Sequence, residues 1–349
     1  MKNPFSNLWG TPYIYLYGGA TGDTIFGMDI VRLLNTKVPH ARVLFLSTRR
    51  NNFSRDLVAP LSSISFLTFT KGNIYSWLAL LFLACIPHKI LVHEPMSSPM
   101  PLWWKIVLRI ATLRRGSMEV RCTPQPTEHF IPKRVQVVGF DPRTDQIFDT
   151  IPRILNAWGI GTFPPLPAHL DASVYKGGVV EKKPYIVLHL FAPSTLRSEP
   201  VTKGRELLSA IQKNFPSHQL LLTCAASEFS RAQRMAEGLA AKIYCDLSAA
   251  TLVSLIAGAD VYIGVDTGIT HIACHLDIPS VVLGNRSNPC WLPYYAPRAT
   301  ILFDQKRCGC NGDKTGDCRE ETPEGPVYRC LFDIPIESII AATKNALTT

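Results

Sequence analysis

The sequence lacks the segments that usually mark an exported or membrane-spanning protein. Met1 to Gly10 is polar and has no apolar core with a cleavage site, so we expect no secretory signal. The longest apolar run, Ile74 to Ile86, has 13 residues. That is shorter than the roughly 20 residues of a transmembrane helix, and it predicts a buried or interfacial helix. We therefore expect a cytoplasmic protein, with peripheral contact at the inner face of the cytoplasmic membrane as a further option.

Several well-known ligand-binding motifs are also missing. There is no Gly-x-Gly-x-x-Gly loop and no P-loop Lys-Ser/Thr, so neither dinucleotide nor P-loop chemistry is indicated. No recognised nucleic-acid reader motif occurs, so we expect no nucleic-acid partner. Charged residues make up only 18% of the chain and hydrophobic residues 46%, which is typical of a globular protein with sizeable cores.

Acidic residues are scarce in the first half of the chain. Residues 1–170 contain 18 Lys and Arg but 9 Asp and Glu, whereas residues 171–349 contain 18 of each. The net charge of +9 therefore lies entirely in the first half. This asymmetry favours an anionic partner there, such as a phosphorylated glycolipid, a membrane surface or nucleic acid. A merely solubilising surface is the alternative.

Strand-like apolar runs alternate with helix-period segments along the whole chain, which predicts an α/β protein with mostly parallel sheets. The length leaves room for two domains. We predict an N-terminal domain over 1–165, a Pro-rich linker over 166–183, and a C-terminal domain over 184–349. The last contains a Cys-rich loop at 308–330 and a closing helix from Ile336 to Leu347. The predicted strands are 13–17, 42–46, 64–69, 89–93, 135–140, 185–190, 219–223, 261–265 and 280–283. The predicted helices are 24–37, 75–86, 103–114, one ending near 158, 203–214, 228–241, 249–258, 268–276 and 336–347.

One stretch, Asp260 to Cys274, has the pattern of a buried strand that leads through a tight turn into a helix. Asp266 or Thr267 could cap the first turn, and Gly268 lets the backbone approach a ligand. The N–H groups and dipole of a helix N-terminus favour an anion, most simply a phosphate, and His271 could add a donor. An ordinary strand–turn–helix is the alternative interpretation.

The first half offers a second candidate. The strand Tyr13–Tyr17 is followed by a Gly-rich loop at 18–23 and then by the helix predicted from Thr24. Asp23 thus lies at the carboxyl end of a strand, where open α/β sheets place their ligands. A simple helix cap is the alternative role.

Together these residues resemble glycosyltransferase family 9, the bacterial ADP-heptose:lipopolysaccharide heptosyltransferases. The resemblance rests on Asp266-Thr267-Gly268-x-x-His271-x-Ala273 and on Gly22-Asp23. It is supported by the segment from Arg32 to Val43 and by Cys330 to Ile334 before the last helix. It implies a GT-B fold, in which two Rossmann-like domains with parallel sheets face each other across a cleft.

The resemblance also implies roles for individual residues. Asp23 would be the general base, with Gly22 and Thr24 in the acceptor-side loop. The donor would be bound by Ser194, Thr195, Arg197, Glu228, Asp266, Thr267, Gly268 and His271. Arg197 takes the place of the Lys in the family's Lys-x-Trp-Pro step, and the Trp is absent. An Arg neutralises phosphate as a planar fork and not as a point charge.

The implied function is inverting transfer of a sugar, heptose from ADP-heptose, onto a lipopolysaccharide-core or other anionic glycan acceptor. No Asp-x-Asp clamp is present, so we expect catalysis without a divalent cation or other cofactor. Ile74–Ile86 and Trp103-Trp104 are candidates for membrane contact. Two alternatives stay open, which are a protein O-heptosyltransferase of the autotransporter type and a non-catalytic scaffold that binds sugar nucleotides.

Four of the ten cysteines are concentrated in Cys308-x-Cys310-x7-Cys318-x11-Cys330. Four thiolates on an irregular loop form a plausible tetrahedral site for structural zinc or iron, although the spacing is not a pair of Cys-x-x-Cys knuckles. Some relatives that glycosylate autotransporter proteins carry iron bound by four cysteines in this region, and the cluster is similar. Free thiols or an occasional disulfide are the alternative.

Overall fold

The computed structural model describes residues 13–47, 50–68, 77–78, 89–93, 118–124, 135–142, 144–163, 169–175, 181–182, 184–285, 289–303 and 318–348. The chain divides into two compact units, residues 1–166 and 167–349. The predicted helix over 103–114 lies outside the described residues, as does all of the helix over 75–86 except Trp77 and Leu78. Among the helices that the structure does describe, none has the length and hydropathy to cross a bilayer.

The first unit contains a parallel sheet of six strands in the order β3-β2-β1-β4-β5-β6. The strands are β1 Tyr13–Tyr17, β2 Val43–Ser47, β3 Ile64–Thr68, β4 Lys89–His93, β5 Met118–Pro124 and β6 Val135–Phe140. The helices that the structure describes in this unit are α1 Thr21–Lys37, α2 Asn52–Val58 and α3 Thr150–Ala157. Strand order reverses between β1 and β4, which makes their carboxyl ends the topological switch point of the sheet.

Helix α1 packs closely on strands β1 and β2. A Cβ atom added to Gly27 would lie 2.5 Å from the ring of Tyr15 and 2.8 Å from that of Phe45. The rings of Tyr15 and Phe45 pack directly on the helix backbone at Gly27, which fixes the position of α1 on the sheet. The helix begins at Thr21 and not, as predicted, at Thr24, so Gly22 and Asp23 belong to the helix and not to the loop. The prediction that they form a loop was wrong because glycines disfavour a helix in propensity, whereas packing decides here.

The second unit repeats the same topology with strands β7 to β12. They are β7 Tyr185–His189, β8 Gln219–Cys224, β9 Ala241–Cys245, β10 Val261–Val265, β11 Ser280–Leu283 and β12 Ala299–Leu302. All pair in parallel, in the order β12-β11-β10-β7-β8-β9. The switch point therefore lies between β7 and β10, where His189 is the register partner of Gly264. Two parallel α/β units of Rossmann-like order confirm the predicted fold class.

Six α-helices fall within the described residues of the second unit. They are α4 Val201–Asn214, α5 Phe229–Ala236, α6 Ala249–Ala257, α7 Gly268–His275, α8 Arg329–Phe332 and α9 Ile336–Thr348. Helix α5 is shorter than the predicted 228–241 because the chain turns at Gly238, which has a φ of +75°, and then enters β9. A short antiparallel pair, β13 Arg319–Glu320 and β14 Val327–Tyr328, precedes α8. Residues 169–175, which fall in the predicted linker, pack on this unit, since the Leu170 N–H donates to the His275 carbonyl over 2.6 Å.

Candidate functional site

In the first unit the switch point brings two side chains together, Asp23 from the first turn of α1 and His93 from the end of β4. His93 Nδ1 lies 3.9 Å from Asp23 Oδ1. The imidazole is almost completely buried, with 4% of its side-chain surface exposed, whereas the carboxyl group keeps 17%. Asp23 is therefore the member of this pair that can meet a ligand.

Tyr15, on the central strand β1, contacts both of these residues. Its hydroxyl donates to the backbone carbonyl of Asp23 over 2.9 Å and lies 2.8 Å from His93 Nδ1. Since the single hydroxyl proton is given to the carbonyl, His93 Nδ1 must itself carry a proton toward Tyr15 and Asp23. Burial lowers the pKa of His93 to about 4, so the ring is neutral at pH 7 and carries that proton on Nδ1. The arrangement supplies a neutral donor near the carboxylate.

The neighbouring residues of the predicted acceptor-side loop have structural contacts. Thr24 is completely buried, and its hydroxyl bonds to Tyr17 Oη and to the Ala20 carbonyl, both over 3.1 Å. The side chain of Thr24 is thus turned into the protein, in contrast to its predicted position in a ligand-facing loop. The N-cap position of α1 is Ala20, so Asp23 is not the cap residue of this helix.

In the second unit three loops leave the carboxyl ends of adjacent strands β10, β7 and β8. They carry, respectively, Asp266 to Gly268, Ser194 to Arg197, and Glu228. Because parallel strands end at the same edge of the sheet, all the predicted donor-binding residues lie at one edge, around the switch point.

Asp266 is a buried carboxyl group at this edge, and 4% of the residue is exposed. Its backbone N–H donates to the Leu283 carbonyl at the end of β11 over 3.3 Å. Burial raises the pKa of Asp266 to about 6, while the positive charge of Arg197 acts in the opposite direction. Arg197 sits in a 3-10 turn, Thr195–Arg197, that follows β7. A carboxyl group that titrates close to neutral pH beside an arginine is typical of a functional site.

The start of α7 differs from the predicted cap. Thr267 is the N-cap residue, with extended backbone, but neither it nor Asp266 gives the helix a side-chain capping bond. The prediction that one of these side chains caps the helix was therefore wrong, and the Asp266 side chain is buried without a capping bond. The positive end of the dipole thus keeps backbone N–H groups, beginning at Gly268, that an anion can accept from.

His271 lies at the end of the first turn of α7 and is 2% exposed. Its Nδ1 is 2.7 Å from the hydroxyl of Tyr295, and its ring is stacked nearly parallel to that of Tyr295 at 6.1 Å. His275, one turn later, bonds through Nδ1 to the His271 carbonyl over 2.7 Å and lies 3.3 Å from the same hydroxyl. His271, which was predicted to bind the sugar donor, is thus part of a buried network of two imidazoles and one phenol.

The loop after β7 is held in place by Ser198. Its hydroxyl accepts from the Ala192 N–H over 2.9 Å and lies 3.1 Å from the Ser194 carbonyl. Ser194 is half-buried and Thr195 is exposed, so both can reach a ligand. The loop geometry is therefore fixed by buried side chains, whereas its ligand-facing groups are accessible.

Glu199 takes the position of the missing Trp and is completely buried. Lys203 Nζ lies 3.9 Å from Glu199 Oε2 and donates to the carbonyls of Leu331 and Phe332. Burial raises the pKa of Glu199 to about 7, partly offset by Lys203, and lowers the pKa of Lys203. This pair links the loop after β7 to helices α4 and α8.

Glu228, the predicted ribose contact, is bound by Arg231. Arg231 Nη1 donates to Glu228 Oε2 over 2.8 Å, and Nη2 donates to the Glu199 carbonyl over 3.1 Å. The guanidinium also lies over the ring of Phe191, 5.6 Å from its centroid. Arg231 therefore connects the loops after β7 and β8 and orients the Glu228 carboxylate.

The cysteine cluster is only partly described. Cys318 is buried and Cys330 is half-buried, whereas Cys308 and Cys310 lie outside the described residues. Within the ranges that the structure does describe, no group of three or more His, Cys, Asp or Glu side chains is placed to hold a metal ion. The metal site predicted from all four cysteines stays a prediction.

Sequence reasoning missed the contacts that reach across the sheets. His93 follows an apolar run at the end of a predicted strand, a position that could have suggested it. Tyr15, Tyr295 and Arg231 carried no comparable signal, because each has a partner far away in sequence, namely His93, His271 and Glu199, at separations of 78, 24 and 32 residues.

Sequence comparison finds matches to one family of glycosyltransferases. Residues 167–321 match the sequence model described as glycosyltransferase family 9 (heptosyltransferase), which confirms the family resemblance noted above. A stretch of 121 residues is 33% identical to lipopolysaccharide heptosyltransferase 1 of Pseudomonas aeruginosa. This alignment covers 34% of the present chain and 33% of that protein, so it spans only about a third of the relative's length.

Structure comparison extends the likeness to the whole chain. The E. coli ADP-heptose lipopolysaccharide heptosyltransferase II superposes with a TM-score of 0.70 over 97% of this chain and 99% of its own, at 15% identity. The dodecameric iron-containing heptosyltransferase TibC of enterotoxigenic E. coli, bound to ADP-D-β-D-heptose, gives a TM-score of 0.57 over 97% and 76%, at 14% identity. The fold is therefore the GT-B fold of these enzymes, as predicted.

Proposed function

We propose that this chain, whose residues 167–321 carry the sequence pattern of glycosyltransferase family 9, transfers heptose from ADP-heptose to an anionic glycan acceptor of the lipopolysaccharide-core type. The observation that carries the proposal is the constellation at the second switch point. An anion site is formed there by Asp266, whose pKa is about 6, by Arg197 and by the start of α7, which has no side-chain cap. These residues lie in the unit that matches family 9. The excess positive charge of residues 1–170 supports an anionic acceptor.

In this mechanism Asp23 is the general base. Its carboxylate accepts the proton of the acceptor hydroxyl as that oxygen attacks the anomeric carbon of the donor sugar. The bond from the anomeric carbon to the diphosphate oxygen breaks at the same time, and ADP leaves with the negative charge. A single displacement of this kind inverts the configuration at the anomeric carbon. Tyr15 and His93 hold the turn that presents the base.

The donor is held by the three loops of the second unit. Arg197, the N–H groups at Gly268 and the His271 imidazole stabilise the leaving diphosphate as preorganised electrostatics. Ser194, Thr195 and Thr267 contribute hydroxyl groups, and Glu228 accepts from the ribose. Because these residues supply the positive charge, the transfer needs no divalent cation.

The proposal includes a structural metal at Cys308, Cys310, Cys318 and Cys330, since four thiolates suit zinc or iron and leave no open position for chemistry. The cluster resembles that of relatives that glycosylate autotransporter proteins, and iron-containing TibC shares the fold, so a protein hydroxyl is the second candidate acceptor. A glycolipid and a polypeptide acceptor would both use Asp23 in the same way.

A donor panel tests the proposal. Purified protein is mixed, without added metal, with ADP-heptose and with UDP-, GDP- and CMP-sugars, and thermal unfolding and donor hydrolysis are followed. A ligand at 100 times its dissociation constant stabilises a fold by about 2.7 kcal/mol. We expect selective stabilisation and slow hydrolysis with ADP-heptose. Stabilisation by another nucleotide sugar would contradict ADP-heptose as the donor. Folded protein that no nucleotide sugar stabilises would contradict the proposed activity.

A further inference from the structure

The turn that carries Asp266 lies between two buried side chains that bond to each other, Tyr262 and Thr270. Tyr262 belongs to β10, and Thr270 is the third residue of α7. Both residues are completely buried, so neither can touch a ligand. Any effect of these two hydroxyl groups on binding must therefore pass through the turn itself.

Thr270 joins the first turn of α7 to the end of β10. Its hydroxyl donates to the carbonyl of Val265 over 2.5 Å. Val265 is the last residue of the strand, so this bond spans the turn that contains Asp266, Thr267 and Gly268. A bond from the helix back to the strand restricts the backbone of the residues between them.

Tyr262 completes this connection from the sheet. Its hydroxyl lies 3.0 Å from that of Thr270. Because the proton of Thr270 is given to the Val265 carbonyl, Tyr262 is the donor to the Thr270 oxygen. Burial raises the pKa of Tyr262, and the side chains of Thr270 and Thr267 act in the opposite direction. The ring lies across Gly264, where an added Cβ would come within 2.6 Å of Tyr262 Cζ.

We infer that Thr270 and Tyr262 are positioning residues, which hold the turn 266–268 so that the Asp266 carboxyl group and the N–H groups at the start of α7 meet the anion in a fixed geometry. This inference rests on the proposed function, in which the anion is the donor diphosphate. A turn that is already ordered loses less conformational entropy when a ligand binds. Removal of either hydroxyl therefore lowers the affinity for the diphosphate.

Calorimetric titration of the full chain with ADP tests this inference. Thr270→Val removes the hydroxyl at nearly constant volume, whereas Thr270→Ser retains it. We expect Thr270→Val to raise the Kd for ADP about 3- to 10-fold, the range for one hydrogen bond, and Thr270→Ser to restore the wild-type value. Tyr262→Phe leaves the bond to Val265 intact and should raise Kd by a smaller factor. It is the milder variant if Thr270→Val does not fold.

Two buried hydroxyl groups that bond outside this turn provide matched controls. Thr343 donates to the Ile339 carbonyl within α9 over 2.7 Å. Tyr185, the first residue of β7, donates to the Leu255 carbonyl over 2.9 Å. Thr343→Val and Tyr185→Phe each remove one buried hydrogen bond, as the test variants do. They should lose similar stability and leave the Kd for ADP unchanged.

Amide hydrogen exchange measures the turn in the absence of any ligand. Relative to the rest of the second unit, peptides covering 261–275 should exchange faster in Thr270→Val than in the wild type. Thr270→Ser should exchange like the wild type there. In Thr343→Val the increase should be confined to peptides covering 336–348.

The outcomes separate this inference from the proposed function. A wild-type Kd in folded Thr270→Val, or an equal rise of Kd in Thr270→Val and Thr343→Val, overturns the inference. If the wild-type protein does not bind ADP, the proposed donor fails, and hydrogen exchange alone decides about the turn. Faster exchange over 261–275 in Thr270→Val, restored in Thr270→Ser, then upholds the role of the hydroxyl, and unchanged exchange overturns it.

Discussion

Tyr15 donates a hydrogen bond to the backbone carbonyl of Asp23 over 2.9 Å, so a side chain from the centre of the first sheet supports the helical turn that carries the proposed base. The same hydroxyl contacts His93 Nδ1 over 2.8 Å. The base is thus positioned by residues that the substrate does not need to touch.

Removing this hydroxyl should lower both the free energy of unfolding and kcat. For Tyr15→Phe we expect a loss of about 1 kcal/mol of unfolding free energy, the usual value of one hydrogen bond, and a several-fold lower kcat. Tyr17→Phe is the control, since Tyr17 stacks on Tyr15 at 4.8 Å and its hydroxyl bonds to Thr24, not to Asp23. The two variants should lose similar stability, and only Tyr15→Phe should lose turnover. Equal loss of kcat in both would contradict a specific role for Tyr15.

Binding of ADP should be linked to proton uptake by Asp266. The pKa of this buried carboxyl group is about 6, and a diphosphate placed nearby adds negative charge that raises it further. The bound state therefore holds more protons than the free state, so the affinity for ADP falls as the pH rises from 6 to 8. Calorimetry at pH 7 in buffers of different ionisation enthalpy measures the uptake. Asp266→Asn should take up fewer protons than the wild type, and the same uptake in both proteins would remove Asp266 from the anion site.

Much of this architecture follows from local pattern. Strands β1, β4, β6, β10 and β11 have the predicted bounds, because runs such as Val261–Val265 are apolar, β-branched and buried. Strand β9 was missed, since Ala241-Lys242 and Tyr244 lack the apolar run of an inner strand. Its place at the edge of the sheet accounts for that composition. Strands β5 and β12 were also not predicted.

The site could be predicted only where chemistry follows a strand in sequence. Asp266 comes directly after β10, and Asp23 lies in the first turn of the helix that follows β1, so both are placed at the carboxyl edge of a sheet. The residues that interact with these carboxyl groups come from other elements, namely His93 for Asp23 and Arg197 for Asp266. The periodicity of a sequence does not show which side chains meet across a sheet. The tautomer of His93 and the pKa of Asp266 could therefore be derived only from the structure.

Glu199 should make the protein less stable as the pH rises. Its pKa is raised from 4.5 to about 7, so the folded chain keeps a proton that the unfolded chain has released. The contribution of Glu199 to the free energy of unfolding is therefore complete below pH 4.5. It is lost as the pH rises from 4.5 to about 7, and the loss is about 3 kcal/mol. Glu199→Gln removes the ionisation. We expect this variant to gain thermal stability over the wild type at pH 8 and not at pH 5.

A surface carboxylate provides the control for this experiment. Glu237 is 73% exposed at its side chain and pairs with Arg205 over 3.4 Å. Exposed pairs of this kind contribute little, so Glu237→Gln should follow the wild type at both pH values. If Glu199→Gln also follows the wild type at pH 8, the carboxyl group is not the source of the pH dependence.

The cysteine cluster makes a prediction about metal content. If the four thiolates hold a structural ion, purified protein should contain about one zinc or iron per chain, and a chelator should lower the unfolding temperature. Cys308→Ser and Cys310→Ser should each reduce the metal content, whereas Cys290→Ser, a buried cysteine outside the cluster, should not. Metal-free wild-type protein of full stability would contradict the site.

The central claim is that Asp23 is the base for sugar transfer, and replacing it by Asn tests this most directly. Transfer from ADP-heptose to a heptose-deficient lipopolysaccharide-core acceptor is measured for both proteins, together with their affinity for ADP. General base catalysis contributes about 100- to 10,000-fold, so Asp23→Asn should lose at least about 100-fold in kcat. Its affinity for ADP should match that of the wild type, because the donor residues lie in the other unit. Turnover at the wild-type rate in Asp23→Asn would contradict the account.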